Sequence, residues 1–105
     1  ERSRIAVVNA DDPEALALLR HAKETITFAI DEPRAQIGIV PGSIAEGPAR
    51  QAALVIDRHD HSEHPLRLPL PGRHNLANAL AAIAGAAAAG IPVAAAVAAL
   101  TDFQG

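Results

Sequence analysis

The apolar positions change their period along the chain, and each change marks a new element. Ile5-Ala6-Val7-Val8 is an unbroken apolar run. It predicts a strand over 4–9, buried on both faces of a parallel sheet. Asn9-Ala10-Asp11-Asp12-Pro13 ends that run. Asp12 suits an N-cap, and Pro13 suits the first helical position, where a missing N–H costs nothing. Ala15, Leu18, Leu19 and Ala22 then share one helical face, which predicts a helix to about residue 22. Ile26, Phe28 and Ile30 alternate with Thr27 and Ala29, the period of a strand over 25–30. Strand, helix and strand make a right-handed βαβ unit over 4–30 with parallel strands.

From Asp31 the pattern shortens. Pro33, Pro41-Gly42, Gly47-Pro48 and Pro65 punctuate runs at 35–40, 51–57 and 64–70. Short strands between tight turns predict an antiparallel meander over 35–70, a small second sheet beside the parallel one. After Pro71-Gly72 the period becomes helical. Leu76, Leu80 and Ile83 predict a helix over 76–89, with Asn75 as its N-cap and Asn78 in its first turn. Gly90 is the expected left-handed residue beyond its end. Pro92 opens a second helix carrying Val93, Val97 and Leu100, which completes a helical pair over 75–101. The expected fold class is α/β: part of a parallel sheet with flanking helices, plus a small antiparallel sheet.

Composition narrows this reading. A chain of 105 residues is one domain or part of one. Half of it is hydrophobic but only 2% is aromatic, so the core is built from small aliphatic side chains that let elements pack closely. The net charge is −3 and no Lys/Arg cluster occurs, which argues against nucleic acid as a partner. Without cysteine there is neither a disulfide framework nor a thiolate site, which fits a cytoplasmic protein. The alanine-rich run 79–89 is too short to span a membrane, so no insertion is expected. Glu1-Arg2-Ser3 lacks Met and is no natural start, and the chain is expected to be a processed or excised piece.

Several constellations carry candidate chemistry. Asn75 and Asn78 lie beside a predicted helix N-terminus, where free N–H groups and the helix dipole favour anions. Carboxamides there can also face the edge of a base. The competing reading makes Asn75 only a cap and Asn78 only a solvated side chain. His59-Asp60-His61-Ser62-Glu63-His64 is dense in metal-ligating types, yet reads more simply as a polar hairpin tip. Asn9, Asp11 and Asp12 stand at the carboxyl end of a parallel strand, where α/β folds place ligands. The favoured reading is simpler: Asp12 caps the helix and Asp11 is solvated, since Asp-Pro at a helix start is fully explained by capping. Arg73 could face a phosphate, or be an ordinary surface residue. No G-x-x-x-x-G-K-[ST] loop is present, and Ser3, Ser43 and Ser62 lie in no nucleophile context.

Taken together, Val7-Val8-Asn9-Ala10-Asp11-Asp12 and, some sixty residues later, Gly72-Arg73-His74-Asn75-Leu76-Ala77-Asn78-Ala79-Leu80-Ala81-Ala82 resemble the Mur ligase family. The tail from Gly90-Ile91-Pro92 to Gly105 continues the likeness, which covers essentially the whole chain. The resemblance implies the C-terminal half of the family's central ATPase domain, over 1–105. The family's enzymes use ATP and Mg2+ to activate a carboxylate of a UDP-N-acetylmuramoyl-peptide precursor as an acyl phosphate, which an amino acid's amine then attacks. The implied nucleotide-binding residues are Asn78 at the adenine, Asn75 in the same pocket and His74 beside them. Among family members the layout around residues 26–30 and the short meander look most like the D-glutamate-adding ligases. The L-alanine-adding and diamino-acid-adding ligases are alternatives, and the folylpolyglutamate synthetases are more distant.

The resemblance also puts the phosphate loop and magnesium ligands upstream of Glu1, and the other ATP-contacting residues beyond Gly105. The piece alone is therefore expected not to turn over ATP. A free-standing binding module of the same fold is the competing reading. A parent reading frame with an upstream glycine-rich loop ending Gly-Lys-Ser/Thr would separate the two.

Overall fold

The computed structural model describes residues 5–17 and 24–102. The elements in order are β1 (Ile5–Asn9), α1 (Pro13–Leu16), β2 (Glu24–Phe28), β3 (Ile37–Ile39) and β4 (Ala45–Glu46). Then come β5 (Gln51–Asp57), β6 (Ser62–Leu68), α2 (Arg73–Ala88) and α3 (Val93–Asp102). β1 and β2 pair in parallel, as their pattern predicts, from Ile5↔Glu24 to Asn9↔Phe28. Asp12 caps α1 by accepting from the Glu14 N–H at 3.0 Å, and Pro13 occupies the first position. Leu16 packs against the buried trio Ala10, Ala29 and Ala35. The expected continuation of α1 through Leu18, Leu19 and Ala22 lies outside the described residues.

The expected second sheet does not exist as a separate body. All six strands form one sheet, ordered β1-β2-β3-β5-β4, with β6 on the other edge of β5. β3 joins the two halves, since it runs parallel to β2 at Phe28↔Ile37 and antiparallel to β5 from Ile37↔Asp57 to Ile39↔Val55. The physical reason is burial on both faces: Ile37, Gly38 and Ile39 are all buried, which suits an interior strand. Turn residues announced that the chain reverses, but not which strand it pairs with. The two-residue β4, absent from the sequence reading, pairs with the start of β5 at Ala45↔Ala52. β6 begins two residues earlier than predicted and holds Pro65 opposite Leu54. As an edge strand it tolerates a proline.

One face of the sheet carries Phe28, Ile37, Ile39, Val55, Leu66 and Leu68. The two C-terminal helices cover it with Leu76, Leu80, Ile83 and Ala84 from α2 and Val93, Ala96 and Val97 from α3. Burying each leucine or isoleucine contributes about 1.5–3 kcal/mol. The alanines let the helices lie close to the sheet. Gly90 adopts φ +90°, and the Ile91 N–H returns to the Ala86 carbonyl at 2.9 Å, so α2 ends in a left-handed cap as predicted. Arg67 on the outer side of β6 donates its N–H to Thr101 Oγ1 of α3 at 3.2 Å.

Candidate functional site

The start of α2 sits at the carboxyl ends of β1 and β2, and Asp11 holds it there. Asp11 follows β1 directly. Its carboxylate accepts N–H groups from the loop after β2: Ile30 at 2.7 Å, Asp31 at 3.2 Å and Glu32 at 3.0 Å. Its own N–H donates to Asn9 Oδ1 at 2.9 Å. The sequence favours a solvated Asp11, and the structure corrects this. In fact its side chain is only 20% exposed, because consecutive backbone donors form a cup around it. Arg73, the first residue of α2, places Nη2 at 2.7 Å from Asp31 Oδ2 and 3.7 Å from Asp11 Oδ2. The exposed Arg73–Asp31 pair contributes at most about 1 kcal/mol. The charge-assisted bonds to the loop backbone are stronger, at about 1.5–3 kcal/mol each.

The helix starts earlier than its pattern suggested. Gly72 is the N-cap, at φ 100° and ψ 148°, and it has no side chain to cap with. Asn75 is therefore not the cap. It is the third helical residue, half-buried, and its Nδ2 donates back to the Pro71 carbonyl at 2.8 Å. The cause is the backbone freedom of Gly72, which turns the chain so sharply that helical geometry begins at Arg73. Gln51 supports the same turn. It is 3% exposed, and its Nε2 donates to the carbonyls of Leu70 at 3.0 Å and Gly72 at 2.7 Å. Nothing in the sequence marked Gln51 for this task.

Asn78 is the sixth helical residue, not a first-turn one, because the start has moved back. Its Nδ2 lies 3.3 Å from His74 Nε2, one turn earlier, and both side chains are exposed. The structure thus brings His74 and Asn78 together on one exposed face of α2. Asn75 turns instead towards the Pro71–Gly72 turn. A shallow depression of about 380 Å³ lies beside this region, lined by Asp11, Asp31, Glu32 and Pro33. A larger cleft of about 740 Å³ lies elsewhere, between the start of β5 and the ends of β6 and α3, and holds none of these residues.

The histidine-rich segment is the β5–β6 hairpin turn. His61 takes a left-handed backbone, φ 64°. Among the described residues no group of His, Asp or Glu side chains converges to hold a metal ion. Ser62 Oγ donates to Asp60 Oδ1 at 2.6 Å and meets His64 Nε2 at 2.8 Å. A nucleophilic triad needs the histidine between serine and carboxylate, whereas here the serine stands between them. These bonds hold Asp60 below the ordinary carboxylate pKa, chiefly through the Ser62 hydroxyl. Glu32 is likewise held low, chiefly by its hydrogen bond to the Arg34 side chain.

Among the described residues no helix is long and apolar enough to cross a membrane. Residues 1–86 match the model of the Mur ligase middle domain. The UDP-N-acetylmuramoylalanine–D-glutamate ligase of Nitrosococcus oceani is 35% identical over 94% of this chain and 20% of its own length. The UDP-N-acetylmuramate–L-alanine ligase of Cupriavidus pinatubonensis is 41% identical over 96% of this chain and 22% of its own. The chain thus spans about a fifth of the curated relatives it matches. The solved structure of MurF from Acinetobacter baumannii matches the fold with a TM-score of 0.81, at 24% identity, over 100% of this chain and 22% of that one. With the matching domain model and these relatives, the chain belongs to the Mur ligase family, through its middle domain.

Proposed function

We propose that this chain supplies the adenine-facing wall of the ATP site in a cytoplasmic ligase of peptidoglycan precursor synthesis. The observation that carries the reading is the pairing of His74 with Asn78 on an exposed face of α2, near an N-terminus held at the carboxyl ends of β1 and β2. Open α/β sheets bind ligands at that end. The Asn78 carboxamide offers a donor and an acceptor to a base edge, and its bond to His74 fixes its direction. Asn75 contributes by holding the turn from which the helix starts. When bound, ATP supplies the phosphoryl group that activates a carboxylate for amide formation. The residues of this chain bind and orient the base.

Among the described residues no group of side chains converges to hold Mg2+. We further propose D-glutamate as the added amino acid, on the likeness around residues 26–30 and the relative that is 35% identical. L-alanine has its own support in the relative that is 41% identical.

ATP titration of the full-length parent by calorimetry tests the site. Asn78→Ala should weaken binding about tenfold, the worth of one well-made hydrogen bond. Unchanged affinity would overturn the adenine reading. Phosphate release by the parent, with UDP-N-acetylmuramoyl-L-alanine plus D-glutamate or with UDP-N-acetylmuramate plus L-alanine, decides between the two amino acids.

A further inference from the structure

We propose that Asp11 is a positioning residue for the nucleotide-facing start of α2, acting through Arg73. The inference rests on the adenine reading above and adds to it the device that sets the helix in place. Asp11 lies far from His74 and Asn78 in sequence. Yet one carboxylate joins three separate parts of the fold. It follows β1 directly, it collects N–H groups from Ile30, Asp31 and Glu32 beyond β2, and it stands 3.7 Å from the guanidinium of Arg73.

Two features separate this from simple loop bracing. Bracing the loop needs the backbone donors alone, whereas the carboxylate also faces the Arg73 guanidinium at the head of α2. The loop it braces carries Asp31, whose own carboxylate holds the same guanidinium at 2.7 Å. Asp11 therefore fixes Arg73 twice, directly and by holding Asp31 in place. Arg73 immediately precedes His74, and His74 Nε2 is within 3.3 Å of the Asn78 amide. A shift of the helix head displaces this pair from the base. Asp12, the adjacent carboxylate, is spent on capping α1 and appears in no such network among the described residues. It serves as the control.

The experiment is a double-mutant cycle in the full-length ligase that carries this chain, reading KM for ATP, kcat and Tm. Asp11→Asn keeps the shape but loses the charge and one acceptor. It should raise KM for ATP about tenfold with a smaller change in kcat, as expected when a binding group is misplaced. Arg73→Gln should do the same. In the Arg73→Gln background, Asp11→Asn should add little further rise in KM while still lowering Tm. Asp11→Glu should recover part of the loss, and Asp12→Ala should lower Tm without moving KM for ATP.

Full additivity of the KM effects, or a KM that tracks Tm across all variants, would overturn the positioning role. So would an unchanged KM in Asp11→Asn while Asn78→Ala raises it, and that result would leave the adenine reading standing. If Asn78→Ala has no effect, both fall together. Should Asp11→Asn fail to fold, Asp31→Asn and Arg73→Gln test the same bridge from its exposed side. Normal KM in both would overturn the proposal.

Discussion

Gln51 Nε2 donates to the carbonyl of Gly72 at 2.7 Å, joining the first residue of β5 to the N-cap of α2. The same nitrogen serves the Leu70 carbonyl at 3.0 Å, so one buried amide holds both sides of the Pro71–Gly72 turn. Gln51→Leu keeps the volume near its original value but removes the donor from both carbonyls. Unfolding by urea should show a loss of about 1–3 kcal/mol, the net worth of two amide–carbonyl hydrogen bonds. A loss no greater than a few tenths would mean that water reaches the turn and replaces the amide.

Gly72 adopts φ 100° and ψ 148°, a region that residues with a Cβ avoid. No heavy atom lies within 4 Å of where a Cβ would stand, so the penalty is purely one of backbone conformation. Gly72→Ala should therefore destabilise by about 1–3 kcal/mol without any steric collision. The head of α2 should relax, and amide hydrogen exchange at Leu76, whose N–H bonds to the Gly72 carbonyl at 3.2 Å, should quicken more than at Ile83. Equal exchange at both would show that the turn and the helix head are independent.

These two residues also show what the sequence could and could not disclose. The βαβ unit was legible because its signals are local: an apolar run, an Asp-Pro helix start and an alternating strand. The left-handed stop at Gly90 was legible for the same reason. The helix start at Arg73 was not, because Asn75 is an equally good cap by composition and only the backbone of Gly72 decides between them. The single sheet was missed because β3 pairs with strands on either side of it in the chain, and turn residues carry no record of partners. Asp11 and Gln51 were missed as structural supports because they bond to backbone groups, which every residue has. Motif spacing grouped His74, Asn75 and Asn78, and the structure keeps His74 with Asn78 while turning Asn75 towards Pro71.

Leu80 is fully buried between α2 and the sheet, in a core that has few large side chains to spare. Its neighbours are mainly small or branched and already in contact, so collapse around a gap is limited. Leu80→Ala should cost about 2–5 kcal/mol in chemical denaturation. Ala82→Leu, on the exposed side of the same helix, should change stability by less than about 0.5 kcal/mol. If the two substitutions gave similar losses, α2 would not be packed by the face seen here.

The hairpin turn offers a pH-dependent test. Asp60 is held below its ordinary value of 3.8, first by the Ser62 hydroxyl and then by the Ser62 backbone N–H. A depressed carboxylate pKa in the folded state means that the unfolded chain binds the proton more readily. The associated stabilisation is therefore fully present above 3.8 and is lost as pH falls through the lower folded value. The group is solvent-exposed, so the effect on global stability is small and the clear readout is the titration itself. In Ser62→Ala the Asp60 carboxyl signal, followed by NMR, should titrate closer to 3.8 than in the parent chain. The same change deprives His64 Nε2 of its hydroxyl partner at 2.8 Å, so the ring should lose its fixed orientation. If Asp60 titrates identically in both chains, the Ser62 bonds are not what lowers it, and the Asp60–Ser62–His64 chain does not persist in solution.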